Sequence, residues 1–591
     1  MKNSYDRQKR HTLQPISVMT VQSNTGKSTG TAIHFGHRWG SVLLLVVVVI
    51  AMLVLAAYNF TNSMSTELEA AAMYAAEIQA RASADSGIEF VATLLGNRTG
   101  VAAENFIHNP QYFMGQVVSP SPHLRANSRF TILAPVEHDT KTNAIRYGLM
   151  DESAKININY LPNMGLSNDD LHTMLMNIPG MTMEIIDAML DWMDSDDTVS
   201  DYGAESETYQ QMNPPYMAKN GPFETIDELL LVKGITPTLL YGEDSNRNGL
   251  LDPNENDGDQ SPPLDNGDGV LDHGFVAFFS VHGRETNRRA DGQLKINVND
   301  GYLTDLYDAL QEAFDEDTAK FIVAYRISGA STPATASLTN PVPPASNMTS
   351  LSGTTATAST STTDAEAAQG LTDFLAYVAA SGGAGTVTRG GIDLSKGGPQ
   401  VIESLWALVG TSVQVKINGT SQTLTSPWSS ETSSITTTMP DMLDKLTLNT
   451  DEYREGRINI NQARREILMA LIGTPTMTQE IVDGIIAAQH LDANGQPSLD
   501  TIRQHTTTAW LYAEGLVDLA GIQNLDPYIT SHGDIYRVQS LGFCDGGGPV
   551  ARVEAMIDST QLPPRVIIQR DLNELGRGYS RSQLLIPIQT K

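Results

Sequence analysis

Twelve residues, Asp244-Ser245-Asn246-Arg247-Asn248-Gly249-Leu250-Leu251-Asp252-Pro253-Asn254-Glu255, set hard oxygen donors at the spacing a calcium ion needs. They fit the pattern D-x-[DN]-x-[DN]-G-x5-E over its whole length. Calcium takes six to eight oxygens at about 2.4 Å. Asp244, Asn246 and Asn248 alternate towards one centre, and Gly249 permits the sharp turn. Leu250 offers a backbone carbonyl, Asp252 acts directly or through water, and Glu255 closes with both oxygens. Pro253 obstructs the exiting helix of a true EF-hand, so an isolated loop is expected. The bland alternative is a solvated acidic loop. A second stretch, Asp265 to Asp272, is a partial match offering Asn266, Asp268 and Asp272, with no Glu at the closing position. The acidic run Asp191 to Asp197 is a third, weaker candidate.

Catalytic chemistry has little support. There is no Gly-x-Ser-x-Gly elbow, no His-Glu-x-x-His and no P-loop, and no His sits beside a plausible nucleophile. The expectation is a protein that is not an enzyme. The single Cys544 excludes an intrachain disulfide and a cysteine-based zinc site. A net charge of −30 repels phosphate backbones, so no nucleic-acid partner is expected.

The elements that must carry these loops show an internal repeat. Lys155-Ile156-Asn157-Ile158-Asn159, Lys295-Ile296-Asn297-Val298-Asn299 and Arg457-Ile458-Asn459-Ile460-Asn461 each read as a period-two strand leading into a helical region. Asn at the end of such a strand can cap the next helix with its side-chain oxygen. After the first copy, Leu171 to Ile178, Pro179-Gly180 and Ile185 to Leu190 predict a helical hairpin, with a further helix capped at Thr225. A second helical region is expected from Leu303 to Ile327, resuming at Leu371 to Leu408. The Ser/Thr/Ala/Pro-rich segment 329–364 between them predicts a flexible loop, and a second polar, Thr-rich stretch spans 411–440. After Arg457 comes a second hairpin. Two strands then close the chain, with Tyr536, Val538 and Leu541 on one side and Ala551, Val553 and Ala555 after them.

One segment sets the topology. Ser41 to Ala57, SVLLLVVVVIAMLVLAA, is uncharged and leads into Tyr58, Asn59 and Phe60. About twenty such residues span a bilayer core of ~30 Å. Six basic residues against Asp6 in the first 40 keep that end in the cytoplasm, so the bulk is exported. The helix is predicted to continue through Met64 to Leu95, with a stripe at Leu68, Ala71, Ala75, Ile78 and Ala82 that fits partner helices or this chain's own domain.

Gly40 before the apolar run resembles the prepilin-peptidase site of type IV pilins and pseudopilins, with cleavage between Gly40 and Ser41. Most of that family has Glu at the fifth mature position, where this chain has Leu45. That departure resembles the K-type minor pseudopilins of type II secretion systems. So do Ala84-Asp85-Ser86-Gly87-Ile88-Glu89, the Asn-Ile-Asn strand before a helix, and Asp191-Trp192-x-Asp194-x-Asp196, Gly203-Ala204-Glu205, Tyr209, Asn220-Gly221-Pro222-Phe223 in that order. The helical hairpins also resemble helix-hairpin-helix units, which often bind DNA; their acidic neighbours here make them structural.

The resemblance implies an α+β fold: a long transmembrane and pilin-like helix, then an antiparallel sheet with inserted all-helical subdomains of helix-hairpin-helix or SAM-like kind. The expected parts are a leader (1–40), the helix (41–95), a pseudopilin α/β region (96–164), a helical insertion with the calcium loops (165–290), a second unit (291–456) and a third (457–591). It implies a single-pass inner-membrane protein with its large domain in the periplasm, capping the tip of the pseudopilus. Its expected partners are the I- and J-type minor pseudopilins and the prepilin peptidase, and calcium its cofactor. The competing readings are a single-pass calcium-binding periplasmic scaffold or adhesin unrelated to secretion, and a calcium-dependent hydrolase.

Overall fold

The computed structural model describes residues 39–97, 104–122, 127–137, 143–331, 387–474, 476–489 and 505–585. The leader up to residue 38 and the Ser/Thr-rich segment from residue 332 lie outside these. Two compact units result, Met1–Ala71 and Ala72–Lys591.

Helix α1 runs from Trp39 to Gly96, and the Gly40–Ser41 bond lies in its first turn. With no Pro and no charge from Ser41 to Thr66, nothing interrupts the hydrogen-bond ladder there. Among the described residues it is the one helix long and apolar enough to cross a membrane. Within the second unit its face Ala80, Ala84, Ile88, Val91 and Leu95 is buried, at helical spacing. The stripe at Leu68, Ala71, Ala75, Ile78 and Ala82 is exposed.

That buried face packs against an antiparallel sheet of β1 (Gln116–Ser119), β2 (Ser128–Pro135), β3 (Ile535–Cys544), β4 (Ala551–Asp558) and β5 (Arg565–Asp571), in that order. Short strands Ile145–Arg146 and Met150–Asp151 pair with β2 and β3. Helix and sheet approach closely because two glycines lack a side chain: a Cβ at Gly542 would run into Ala80 O, and one at Gly87 into Ser540 Oγ and the Phe130 ring. Ser540 Oγ donates to Ala84 O at 2.7 Å. Tyr536, Val538, Ala551, Val553 and Ala555 face the helix, but Leu541, expected on the same side as Tyr536 and Val538, does not. It lies an odd number of residues from Val538, and so shares the opposite face with Leu133, Phe543 and Tyr579.

The sheet is interrupted by three inserted units, each opened by one copy of the repeated strand and closed by a parallel return strand. Ile156–Asn157 pairs with Phe279–Ser280, Ile296–Asn297 with Leu446–Thr447, and Ile458–Asn459 with Ile529–Thr530. The second unit is the loop of a hairpin whose arms, Arg284–Thr286 and Tyr453–Glu455, pair antiparallel. Each unit contains a helix pair: Asn168–Leu175 with Met183–Met193, Leu303–Ala313 with Glu316–Ser328, and Arg465–Ala470 with Gln479–Ala488. Thr182, Asp315 and Thr478 cap the second helix of each pair through their side-chain oxygens. Thr225 does stand at a helix start, of the 3-10 turn Ile226–Leu231, but its side chain makes no capping bond.

Residues 387–408 are not helical. They form the strands Thr388–Arg389 and Ile392–Asp393 and a 3-10 turn at Leu405–Leu408. The polar stretch 411–440 begins as a hairpin, Ser412–Ile417 with Thr420–Thr425. There Val413, Val415 and Ile417 alternate inwards and the Thr and Ser residues face out. The helix Thr432–Lys445 comes next.

The asparagines of the repeat explain its form. The first Asn of each copy accepts from the N–H of the second: Asn157 from Asn159, Asn297 from Asn299, Asn459 from Asn461. The second Asn ties its unit shut. Asn159 Nδ2 donates to Phe223 O and Val281 O, Asn299 Nδ2 to Ile402 O and Leu448 O, and Asn461 Nδ2 to His505 O and Ser531 O. Their Oδ1 atoms accept from Phe223 N, Ile402 N and Trp510 Nε1. An amide is required, since one side chain must both donate twice and accept. Replacing Asn299 or Asn461 by Ala strands these groups and is expected to lower unfolding stability by roughly 2 kcal/mol. Asn299→Asp keeps the acceptor alone and should cost an intermediate amount, read by urea denaturation.

Candidate metal centres

The loop 244–255 closes on itself as its spacing predicts. Asp244 Oδ1 accepts from Asn248 N at 3.0 Å and its Oδ2 from Gly249 N at 2.8 Å. Asn246 Oδ1 accepts from Asn248 N, and Asn248 Oδ1 from Leu250 N. Asp252 Oδ2 accepts from the amides of Asn246 (2.5 Å) and Asn248 (2.9 Å). Glu255 reaches back to Ser245 N at 3.0 Å and Asp252 N at 3.1 Å. The six predicted positions therefore belong to one loop drawn together by its own side chains. Gly249 has φ +70°, and a Cβ there would meet Pro135 Cγ at 2.6 Å. Pro253 opens a single 3-10 turn, Pro253–Glu255, in place of an exiting helix. Burial, then the neighbouring charges of Asp244 and Asp252, push Glu255 up to about 7. Such a carboxyl gains by facing a cation.

The loop is also a joint. Arg552, on β4 and fully buried, donates to Asn246 O at 2.7 Å and to Arg247 O. Gln539 Nε2 donates to Arg247 O at 3.0 Å, and Tyr579 Oη to Asn248 O at 3.0 Å. Leu250 enters the apolar cluster of Leu133, Leu541, Phe543 and Tyr579. This loop of the first unit is thereby bolted to the sheet.

The partial loop has the closing acid it lacked in sequence. Glu243, the residue just before the first loop, is buried and accepts from Asn266 N at 3.3 Å and Asp272 N at 3.0 Å. Asn266 Nδ2 donates to Asp272 Oδ2 at 3.0 Å, while Asp268 is exposed and bonds Val270 N. Asn266, Asp268 and Asp272 are thus brought to one loop, though an open one.

The weakest sequence candidate has the most telling geometry. Asp191 and Asp194, at the end of the helix Met183–Met193, meet Glu205, with one ligand oxygen from each within 4.8 Å of the others. Asp191 is fully buried and Glu205 is 1% exposed. Both oxygens of Glu205 are buried without a hydrogen-bond partner. Burial, then Asp191, Asp194 and Asp197, push Glu205 up to about 7. A buried, unpartnered carboxylate among like charges is strongly unfavourable unless a cation completes it. An all-oxygen carboxylate set suits a hard divalent cation such as calcium. The fold shapes this pocket: a Cβ at Gly203 would run into Asp191 Oδ2, and Ser200 Oγ donates to Asp191 Oδ1 at 2.6 Å. Asn220, at φ +49°, holds the intervening turn through Asp196 O (2.9 Å) and Asp197 Oδ1 (3.1 Å). Sequence reading misses Glu205 as a ligand because it lies fourteen residues beyond Asp191; the signal is Gly203, whose missing side chain lets Glu205 close in.

Residues 154–241, which include this acidic centre and the first helix pair, match the family model described as type II secretion system (T2SS), protein K. The type II secretion system protein K of Aeromonas hydrophila is 26% identical over 220 residues, 34% of this chain and 61% of the relative. The chain thus spans about three fifths of that curated relative's length. Among solved structures, one in the crystal structure of the GspK-GspI-GspJ complex from the enterotoxigenic Escherichia coli type 2 secretion system aligns with 85% of this chain and 99% of its own. Its TM-score is 0.32 at 11% identity, a likeness too loose to carry an argument. The family match over residues 154–241 and the curated relative both liken this part of the chain to the type II secretion system protein K family.

Proposed function

We propose that this chain is a non-enzymatic minor pseudopilin that caps the tip of a periplasmic pseudopilus and so supports protein export across the outer membrane. The family match over residues 154–241 carries the reading. Its partners, by family, are the I- and J-type minor pseudopilins. Prepilin peptidase cuts between Gly40 and Ser41, and the apolar helix stays as a single-pass inner-membrane anchor with the large domain outside. Two features support a terminal place. Leu45 stands where other pseudopilins carry the Glu that pairs with a neighbour's amino terminus. Three inserted units enlarge the sheet domain beyond what a shaft subunit needs.

Calcium, in this reading, rigidifies the first unit. Asp191, Asp194 and Glu205 hold one ion, and Asp244, Asn246, Asn248, Leu250, Asp252 and Glu255 another. Glu243, Asn266, Asp268 and Asp272 offer a weaker third place. The chemistry supplied is charge neutralisation and cross-linking of loops, not a reaction.

At calcium a hundredfold above its dissociation constant, about 2.7 kcal/mol of added stability is expected, measured as a rise in melting temperature relative to chelator. Glu205→Gln should remove part of that rise without lowering metal-free stability. Asp244→Ala should remove part and also destabilise the metal-free protein, because Gly249 N loses its acceptor and Asn248 N keeps only Asn246 Oδ1. A melting temperature indifferent to calcium would sink the metal assignment.

Gly40→Val is expected to block removal of the leader, read as the amino-terminal mass of the membrane-bound protein. Normal maturation of that variant, or an uncleaved leader in the parent, would count against the pseudopilin assignment and favour a permanently anchored scaffold.

A further inference from the structure

A cavity of about 490 Å³ lies where the sheet, the hairpin arms Arg284–Thr286 and Tyr453–Glu455, and the roots of the second and third units meet. That size is typical of small-molecule sites. Its wall gathers Arg288, Arg289, Lys295, Arg454 and Arg457 in a chain whose net charge is −30. Six acids line the same wall, and each already accepts hydrogen bonds or pairs with a cation. Glu285 and Asp526 hold Arg457, at 2.5 and 3.3 Å. Asp534 accepts from Thr286 N and Asp444 from Ala290 N. Glu137 pairs with Arg146, and Asp151 accepts from Ser153 N, Asn459 Nδ2 and Gly533 N.

Arg289 and Arg454 make no side-chain hydrogen bond among the described residues, and Arg289 Nε is buried without a partner. Arg454 comes no closer to a carboxylate than 4.0 Å, from Nε to Glu285 Oε1. It is nonetheless only partly exposed. The Arg457 guanidinium beside it, and then burial, push its pKa below the usual arginine range. A guanidinium with unused donors, repelled by a second guanidinium and facing a cavity, is a fork for an oxyanion. Lys295, whose Nζ donates to Leu443 O at 2.8 Å, adds a second cation at the same wall. Thr506, Thr507, Ser531 and His532 line the cavity with further hydrogen-bonding groups.

We propose that this cavity binds a small oxyanion, the carboxylate or phosphate of a soluble metabolite-sized molecule, anchored by Arg454 with Lys295 as second contact. The test is isothermal titration of the full chain in lipid nanodiscs, in calcium-free, low-chloride buffer, with succinate and inorganic phosphate as separate titrants. Saturable binding of at least one is expected, weakened tenfold or more by Arg454→Met and several-fold by Lys295→Met. Binding of both supports recognition of oxyanion charge; binding of one supports that ligand class. Melting temperatures of the ligand-free variants serve as the control for folding. No saturable heat with either titrant would overturn the proposal. So would parental affinity in both variants.

Discussion

Everything in this fold depends on three buried acids that hold the roots of the inserted units. A long excursion between two strands must leave and rejoin the sheet at fixed points, and closing it costs chain entropy. Asp151 accepts from Asn459 Nδ2 and Gly533 N, and so grips both ends of the third unit. Glu152 accepts from Ser280 Oγ on the first unit's return strand and from Arg537 Nε on the central strand β3, at 2.6 Å. Glu285 takes Arg457, the first residue of the third repeat, and Thr530 Oγ1 on that unit's return strand. Each acid joins two segments far apart in sequence. Buried ionic groups of this kind contribute specificity more reliably than stability, and here the specified quantity is which strand closes which unit.

These acids are in different electrostatic states, and the causes are legible. Burial alone would raise Glu152, but Arg537 and Lys155 outweigh it and hold the carboxyl far below its ordinary range. Glu285 is lowered to about 2 by Arg457 and Arg454 against the same burial. Asp151 is held mainly by dipolar donors, so desolvation wins and pushes it up to about 6. Above pH 6 its charge therefore costs folded-state stability, a cost that disappears as pH falls through that value. Glu152 and Glu285 contribute across the whole neutral range and lose their effect only in strong acid. Of these three acids, Asp151 is thus the one whose charge changes nearest neutrality.

Local features are readable from the sequence because they are set by nearby residues. The loop 244–255, the hairpin turn at Pro179-Gly180 and the three Asn-bearing strands are dictated by spacing and residue type alone. The unreadable features depend on partners distant in the chain. Arg552 and Tyr579, which hold the carbonyls of Asn246 and Asn248, lie more than 300 residues away from them. Leu541 falls on the opposite face from the one its neighbours suggest, because the sheet has apolar cover on both sides at that point. Residues 387–408 are apolar enough for helix, yet Gly390 and Gly391 adopt positive φ, which turns the chain into a short hairpin.

The two main metal candidates also differ in what they rest on, and this ranks them by need rather than by motif. In loop 244–255 most ligand oxygens accept backbone or amide hydrogens from the loop itself, and the carbonyls are fixed by Arg552, Gln539 and Tyr579. That loop keeps its shape through protein donors, and a cation would add to an existing joint. At Asp191, Asp194 and Glu205, neither buried oxygen of Glu205 has a well-formed hydrogen bond among the described residues. Burial and the neighbouring acids push that carboxyl up to about 7, so a cation placed there would offset a cost that burial imposes. A complete consensus motif therefore marks a loop already held by its own donors, and a fragmentary acidic run marks the place where buried carboxylates meet.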